Sequence, residues 1–325
     1  MTKWLVDFEE VAALLKRHDH FTVLAHVNPD GDAVSSTVAM GLLLQKMGKT
    51  VHLVNEDRIP GKFRFLPLAS NIQSTRDCRS FAEVVIAVDC ADARRIGIGA
   101  ESLVHGKIMV NIDHHPTNDR YGHINVINPE AAATVQILYQ LIQFMNIEID
   151  VSLAQVLYTG LLTDTGGFRY SNTTPEVMNM ASHLISLGVN PGDLAERVLE
   201  TLTIPHLHLL QRSLSSLQQS DDCRICWVSV TLEDIERTGA TTEDIDGLVN
   251  YPRNIDGVEV GICFKEIDRD EIKVSFRSRE VDVAAIAKHF SGGGHFRASG
   301  CTIRATLPEA IDQVIALVEQ AIPNS

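Results

Sequence analysis

Residues 26–32, His-Val-Asn-Pro-Asp-Gly-Asp, put one imidazole (His26) and two carboxylates (Asp30 and Asp32) into a single short loop. Such a donor set suits a divalent cation. An Asx-type turn with Asp32 as a helix cap accounts for the same residues without any metal. Three further acidic or histidine positions follow apolar runs: Asp89 after Val84-Val-Ile-Ala-Val88, Asp113-His114-His115 after Lys107 to Ile112, and Asp164 after Leu161-Leu162-Thr163. A lone aspartate after a strand is ordinarily a turn-former. Two adjacent histidines are harder to explain that way. Neighbours in extended chain point in opposite directions, so one can ligate while the other faces a substrate. Oxygen and imidazole donors without a thiolate favour Mn²⁺ or Mg²⁺ over structural zinc.

The elements that must hold these residues are legible from periodicity. Asp7 to Arg17 reads as an amphipathic helix, Phe21 to Ala25 as a buried strand, and Asp32 to Met47 as a helix closed by Gly48. Thr50 to Val54, Val84 to Val88, Lys107 to Ile112 and His123 to Ile127 are further strands. Alternation of strand and helix predicts an α/β fold with a mostly parallel, doubly wound sheet, which places the loops after its strands at the ligand-binding edge. The chain then turns helical over 131–145, 151–162, 175–187, 191–199 and 205–218. From Ile225 a second, smaller α/β domain is expected: a strand, a helix, two strands (258–265 and 272–278) around an acidic turn, a short helix, a glycine cluster and a terminal helix over 307–322. The expected division is a catalytic domain over 1–190, a helical connector over 191–222 and a second domain over 223–325. Cys223 and Cys226 form a CxxC that enters a strand-like run with no second metal-binding pair, and His206 and His208 lie two apart on a helix. Both pairs read as structural.

The arrangement at 26–32, 89, 113–115 and 164 resembles the four motifs of the DHH phosphoesterase superfamily. Lys273-Val-Ser-Phe-Arg-Ser-Arg279 followed by Gly292-Gly-Gly-His-Phe-Arg-Ala-Ser-Gly300 resembles the DHH-associated C-terminal domain, so the resemblance spans residues 26–300. Within the superfamily the chain is similar to the bifunctional oligoribonuclease and pAp phosphatase group, the nano-RNases. The resemblance implies that His26, Asp30 and Asp89 hold one metal and that Asp32, Asp89, His114 and Asp164 hold another, two Mn²⁺ per chain with Mg²⁺ as the substitute. His115 would touch the scissile phosphate or assist the leaving oxygen, and Asp113 would orient a ligand histidine. Arg277 and Ser278, with Gly293, Gly294 and His295, would bind substrate across a cleft between the domains. One departure stands out: Gly167 occupies a position after Asp-Thr-Gly where the group often carries a basic residue, so either Arg169 takes over that contact or it is lost.

The implied activity is hydrolysis of 2- to 5-mer oligoribonucleotides to mononucleotides and removal of the 3′-phosphate from pAp. A cyclic or linear dinucleotide phosphodiesterase (acting on c-di-AMP or pApA) is the alternative on the same fold, and a non-catalytic nucleotide-binding regulator is the alternative in kind. A chain of 325 residues with a net charge of −14 and a pI near 5.3 lacks the basic face that grips long duplex DNA. Two divalent cations would offset four of those charges where an anionic substrate approaches. No window reaches the ~18 apolar residues of a membrane span, the start lacks a signal peptide's apolar stretch, and six dispersed cysteines fit reduced thiols. A cytoplasmic protein is expected, and a homodimer is compatible with all of this.

Overall fold

Every residue of Val84–Val88 is buried, the mark of a strand covered on both faces. It lies inside a six-stranded, all-parallel sheet in the computed structural model, which describes residues 4–322. In chain order the first unit contains α1 (Trp4–Arg17), β1 (His20–Leu24), α2 (Gly31–Lys46), β2 (Thr50–Asn55), β3 (Gln73–Ser74), β4 (Val84–Val88), α3 (Ile98–Val104), β5 (Ile108–Asp113), β6 (Ile124–Ile127), α4 (Thr134–Phe144), α5 (Val151–Asp164), α6 (Pro175–Ser186) and α7 (Pro191–Ala195). The strand order is β3-β2-β1-β4-β5-β6, so the order reverses between β1 and β4. Open parallel sheets bind ligands at such a switch point, beyond the strands' C-terminal ends.

Alternate strand residues feed two cores. Phe21, Val23, Ile86 and Val88 face the larger one with α2, α4 and α5, while Leu24, Val85 and Ala87 face Phe81, Ile96, Ala100 and Met109. Helix α2 is buried at all but three of its 16 residues, so it has no polar face of the usual kind. Small residues permit this enclosure. A Cβ on Gly31 would lie 2.7 Å from Thr163 Cβ of α5, and one on Gly160 would lie 2.9 Å from Ser35 Cβ of α2.

The division of the chain falls between Thr201 and Leu202. The first unit therefore takes the 191–201 part of the expected connector, and the rest belongs to the second unit. That second unit runs α8 (Ile204–Ser215), β7 (Gln218–Gln219), β8 (Ile225–Val230), α9 (Leu232–Thr238), α10 (Asn250–Asn254), β9 (Val260–Asp268), β10 (Glu271–Ser278), α11 (Val283–His289), β11 (Gly293–His295), β12 (Ala298–Ile303) and α12 (Leu307–Ala321). Its mixed sheet has the order β11-β12-β10-β9-β8-β7. One face packs Ile262, Phe264, Val274 and Phe276 against α11 and α12, and the β8–β9 part of the other face packs Val228, Val230 and Cys263 against Leu209, Leu248 and Val249.

Three sequence expectations change. The glycine cluster is not a loop but the edge strand β11, paired antiparallel with β12. Gly294 (φ 141°) and Gly292 allow it, since a Cβ at either would press on the β12 backbone. The acidic turn is shorter than expected, because β9 continues to Asp268. Asp164 ends α5, which runs two residues beyond the helix expected over 151–162. Among the described residues no helix is long and apolar enough to cross a membrane.

Candidate metal centre

The turn after β1 brings His26 back under the N-terminus of α2. His26 is 4% exposed, and its Nδ1 lies 2.7 Å from Val27 O. A carbonyl can only accept, so Nδ1 carries the proton and Nε2 presents a lone pair. The Arg95 guanidinium, 3.1 Å from the same Nδ1, is then a neighbour without a shared proton. His26 Nε2 lies 3.9 Å from Asp30 Oδ2 and 3.6 Å from Asp89 Oδ2.

The cap of α2 is Asp30, not Asp32. Asp30 Oδ1 accepts from the backbone N–H groups of Asp32 and Ala33, both at 3.1 Å. Asp32, in the first turn, reaches another helix: its carboxylate accepts from Thr134 N at 2.6 Å and Val135 N at 3.1 Å. These are orphan donors at the start of α4, whose own cap position, Ala133, has no side-chain acceptor. Both helix N-termini thus hold carboxylates by hydrogen bond and dipole.

Asp89 sits beyond β4 in the left-handed region (φ 52°) and is 1% exposed. A non-glycine residue there stores strain that surrounding contacts must hold. Asp89 N donates to Ile112 O at 3.0 Å, and Thr134 Oγ1 donates to Asp89 Oδ1 at 3.0 Å. The two carboxylate oxygens look in different directions. Oδ2 faces His26, whereas Oδ1 is 3.6 Å from both His114 Nε2 and His115 Nδ1. His114 Nδ1 lies 3.3 Å from Ala131 O, turning Nε2 to within 3.5 Å of Asp164 Oδ2. His115 Nδ1 is 2.7 Å from Asp113 Oδ1, and Asn118 Nδ2 donates to Asp113 Oδ2 at 2.6 Å. The buried Asp113 therefore orients His115.

Among the described residues, three groups have ligand atoms within 4.8 Å of one another: His26, Asp30 and Asp89; Asp32, His114 and Asp164; and Asp89, His114 and His115. The electrostatics of this cluster call for a cation. Burial and then the Asp89 charge push the Asp32 carboxyl up to about 7. Burial, followed by Asp32, Asp30 and Asp89, pushes Asp164 well above its ordinary range. Asp164 also ends a helix, where the dipole disfavours a carboxylate. Burial would raise Asp89 too, but His26, His115 and His114 outweigh it and hold that carboxyl below its usual value. Burial lowers the three imidazoles, yet the surrounding carboxylates, Asp89 foremost for His26 and His114 and Asp113 foremost for His115, leave all three raised. Carboxylates that repel one another and hard donors without a thiolate fit bound divalent metal.

The DHH family N-terminal domain model matches residues 20–161, and the DHHA1 domain model matches residues 226–324. A Thermus thermophilus protein described as bifunctional oligoribonuclease and PAP phosphatase NrnA is 34% identical over 307 residues, covering 93% of this chain and 90% of the relative. The chain belongs to the DHH family. Its Bacillus subtilis relative of the same description is 25% identical over 95% of this chain and 97% of the relative. A solved DHH-like structure, described as an exopolyphosphatase-related protein from Bacteroides fragilis, superposes with a TM-score of 0.89 at 27% identity, covering 99% of this chain and 97% of that one. As a DHH-family phosphoesterase, the chain has metal-dependent chemistry, and the clustered donors, Asp164 excepted, fall within the residues that the DHH domain model matches.

The remaining sequence candidates are spread more widely. Arg169 lies in the turn after α5, where Gly166, Gly167 and Phe168 all have positive φ (58°, 72° and 61°). Its Nε donates to Gly166 O at 2.6 Å, and a Cβ on Gly167 would lie 3.7 Å from that Nε. The guanidinium therefore fills the space beside the position where the basic residue is missing. Arg277 lies within β10, not after it, and pairs with Ala298 of β12, which pairs in turn with His295 of β11. Directly opposed residues share a sheet face, so Arg277 and His295 flank the small Ala298 on one side of the second unit, while Gly294 and Gly293 lie one and two residues further along the exposed edge, opposite Ser299 and Gly300. Ser278 is different: it is buried, and its hydroxyl donates to Val281 O at 2.5 Å. The CxxC pair is unlinked, with Cys223 exposed in a turn and Cys226 buried in β8. His206 is buried against Asp244 O at 2.7 Å. Thr134 escaped the sequence reading because a threonine after three alanines carries no spacing signal.

Proposed function

We propose that the protein hydrolyses phosphodiester bonds in very short oligoribonucleotides, 2- to 5-mers, releasing mononucleotides, and removes the 3′-phosphate from pAp. The observation that carries this reading is one buried carboxylate, Asp89, whose two oxygens face two separate groups of imidazole and carboxylate donors. Relatives described as oligoribonuclease and PAP phosphatase, matched over nearly the whole chain, support the choice of substrate.

His26, Asp30 and Asp89 would hold one Mn²⁺, and Asp32, Asp89, His114 and Asp164 a second, with Mg²⁺ as a weaker substitute. Two such ions supply water activation and a clamp on the phosphorus for in-line displacement. The chain's own residues do the rest. The Val27 and Ala131 carbonyls keep His26 and His114 in the tautomer that presents Nε2. Asp113 and Asn118 do the same for His115, which contacts the scissile phosphate or hands a proton to the leaving oxygen. Arg169, Arg277, His295 and the Gly293–Gly294 edge bind the phosphates beyond the scissile one. Ser278 acts indirectly, by fixing the end of β10. The setting would be the cytoplasm.

A panel of 2- to 5-mer RNAs, pAp, pApA and cyclic dinucleotides, with Mn²⁺ and with excess chelator, tests the proposal. Mononucleotide release from the short RNAs and phosphate release from pAp, both abolished by chelator, are expected. Turnover confined to cyclic or linear dinucleotides would assign the alternative phosphodiesterase, and binding without turnover would make the protein a regulator.

A further inference from the structure

Beyond the metal centre, the first unit holds a cavity of about 310 Å³ whose lining includes Asp57, Arg58, Ile59, Arg64, Ala69 and Ile72. This is at the small end of small-molecule sites, which run from roughly 300 to 1,000 Å³. We propose that this cavity is a subsite for one nucleotide unit of the substrate, taking the base on its apolar floor and the phosphate on Arg58 and Arg64. The inference rests on the phosphoesterase reading above and adds where one flanking nucleotide sits.

Three observations carry it. The floor is apolar, since Ile59 and Ala69 are buried and Ile72 is half-buried, and it suits the face of a planar base. The rim carries two arginines, both exposed, and neither is among the ion pairs formed by the described residues. Their planar guanidinium groups suit a phosphate better than an ammonium would. Asp57, the carboxylate on the same wall, is already engaged: Asn28 N donates to its Oδ2 at 2.7 Å.

That last contact also fixes the cavity's position. Asn28 lies between His26 and Asp30 and is itself left-handed (φ 52°). The buried Asn55 amide bridges the same two segments, donating to His26 O and Asp57 O at 3.4 and 3.3 Å. The wall of the cavity is therefore hydrogen-bonded to the loop that carries two metal-ligand candidates. A nucleotide seated there would have its neighbouring phosphodiester at that loop. Such a subsite favours substrates with a second phosphate or a second nucleotide over simple phosphate esters.

The test uses the full-length protein in excess chelator, so that binding is read without metal or turnover, and AMP as the probe. With isoleucine methyl groups isotopically labelled, the Ile59 and Ile72 signals should shift saturably as AMP is added. In the Arg58→Ala/Arg64→Ala double variant the affinity reported by those two methyls should fall roughly 10-fold or more, the loss expected for a charge-assisted phosphate contact. Methyl shifts that never appear at millimolar AMP, or that saturate identically in the double variant, overturn the proposal. AMP binding elsewhere would leave these two signals unmoved and so counts against it. Hydrolysis by the wild-type protein is scored separately: turnover with silent methyls removes the subsite and keeps the function, whereas shifting methyls without turnover do the reverse.

Discussion

At the scale of single residues, Asp89 is where burial, strain and charge coincide. A carboxylate at 1% exposure and φ 52° is expensive to maintain; His26, His115 and His114 outweigh its burial through hydrogen bonding and charge, and the backbone strain is left to the surrounding contacts. Asp89→Ala should therefore abolish turnover at any Mn²⁺ concentration while the metal-free protein stays folded. Steady-state assays alongside circular dichroism check this, and retained activity would end the two-metal reading. His115 should behave differently. If it works on the phosphate and not on the metal, His115→Ala should lower kcat by about 10²- to 10⁴-fold and leave Mn²⁺ affinity within a few-fold by calorimetry. A large loss of metal affinity would make it a ligand instead.

At the scale of elements, the site depends on helix N-termini held at close quarters. Asp30 caps its own helix, while Asp32 caps α4 through Thr134 and Val135, tying α2 to α4 directly at the metal centre. Gly31, between the two aspartates, has α5 against it, with Thr163 in the space a methyl group would need. Gly31→Ala should therefore destabilise the metal-free protein by about 1–3 kcal/mol, as overpacking does. It should also weaken metal binding, because Asp30, Asp32 and Asp164 all sit on the elements it pushes apart. Urea denaturation and calorimetry on the same variant test both parts. A loss of stability with unchanged metal affinity would show that the centre tolerates movement between α2 and α5.

At the scale of the molecule, a net charge of −14 and a cluster of buried acids make pH and metal act on the same groups. The raised imidazoles of His26, His114 and His115 favour folding below their unfolded value near 6.5, and this contribution is lost as pH rises through their higher folded values. Asp32, up to about 7 from 3.8, works in the same direction, since its proton is retained by the folded state and lost across that interval. Asp89, held below its ordinary 3.8, contributes stability that is already fully present above that value and so does not change over this range. The metal-free protein should thus lose stability from pH 5 to pH 8, and the gain in Tm on adding Mn²⁺ should grow over the same range as bound metal replaces protons. Thermal scans with and without metal at several pH values decide it; a gain independent of pH would place the metal elsewhere. The second unit has its own signature. Arg277→Ala should weaken dinucleotide turnover by about 10- to 150-fold, from a lost contact worth roughly 1.5–3 kcal/mol, and should affect a small chromogenic phosphodiester far less. Equal losses on both substrates would assign Arg277 to folding or to the reaction itself.

The parallel sheet and the donor residues were legible in the sequence because both are local. Val84–Val88 announces a buried strand by five apolar residues in a row, and His26, Asp30, Asp32 and Asp113-His114-His115 announce themselves by residue type at short spacing. The helix over 151–162 is legible too, but its last two residues, Thr163 and Asp164, lie beyond the expected end, because helix termini are less sharply marked than helix interiors. Likewise, glycines 292–294 gave no hint of β11, whose pairing lies in β12. Which aspartate caps which helix, that Asp113 serves His115, that Thr134 steadies Asp89, and that Ser278 turns inward were decided only by tertiary structure. The Asp32 and Thr134 bonds join segments 102 and 45 residues apart, and even the short-range Asp113–His115 and Ser278–Val281 bonds are set by position in space, which composition and spacing along the chain do not encode.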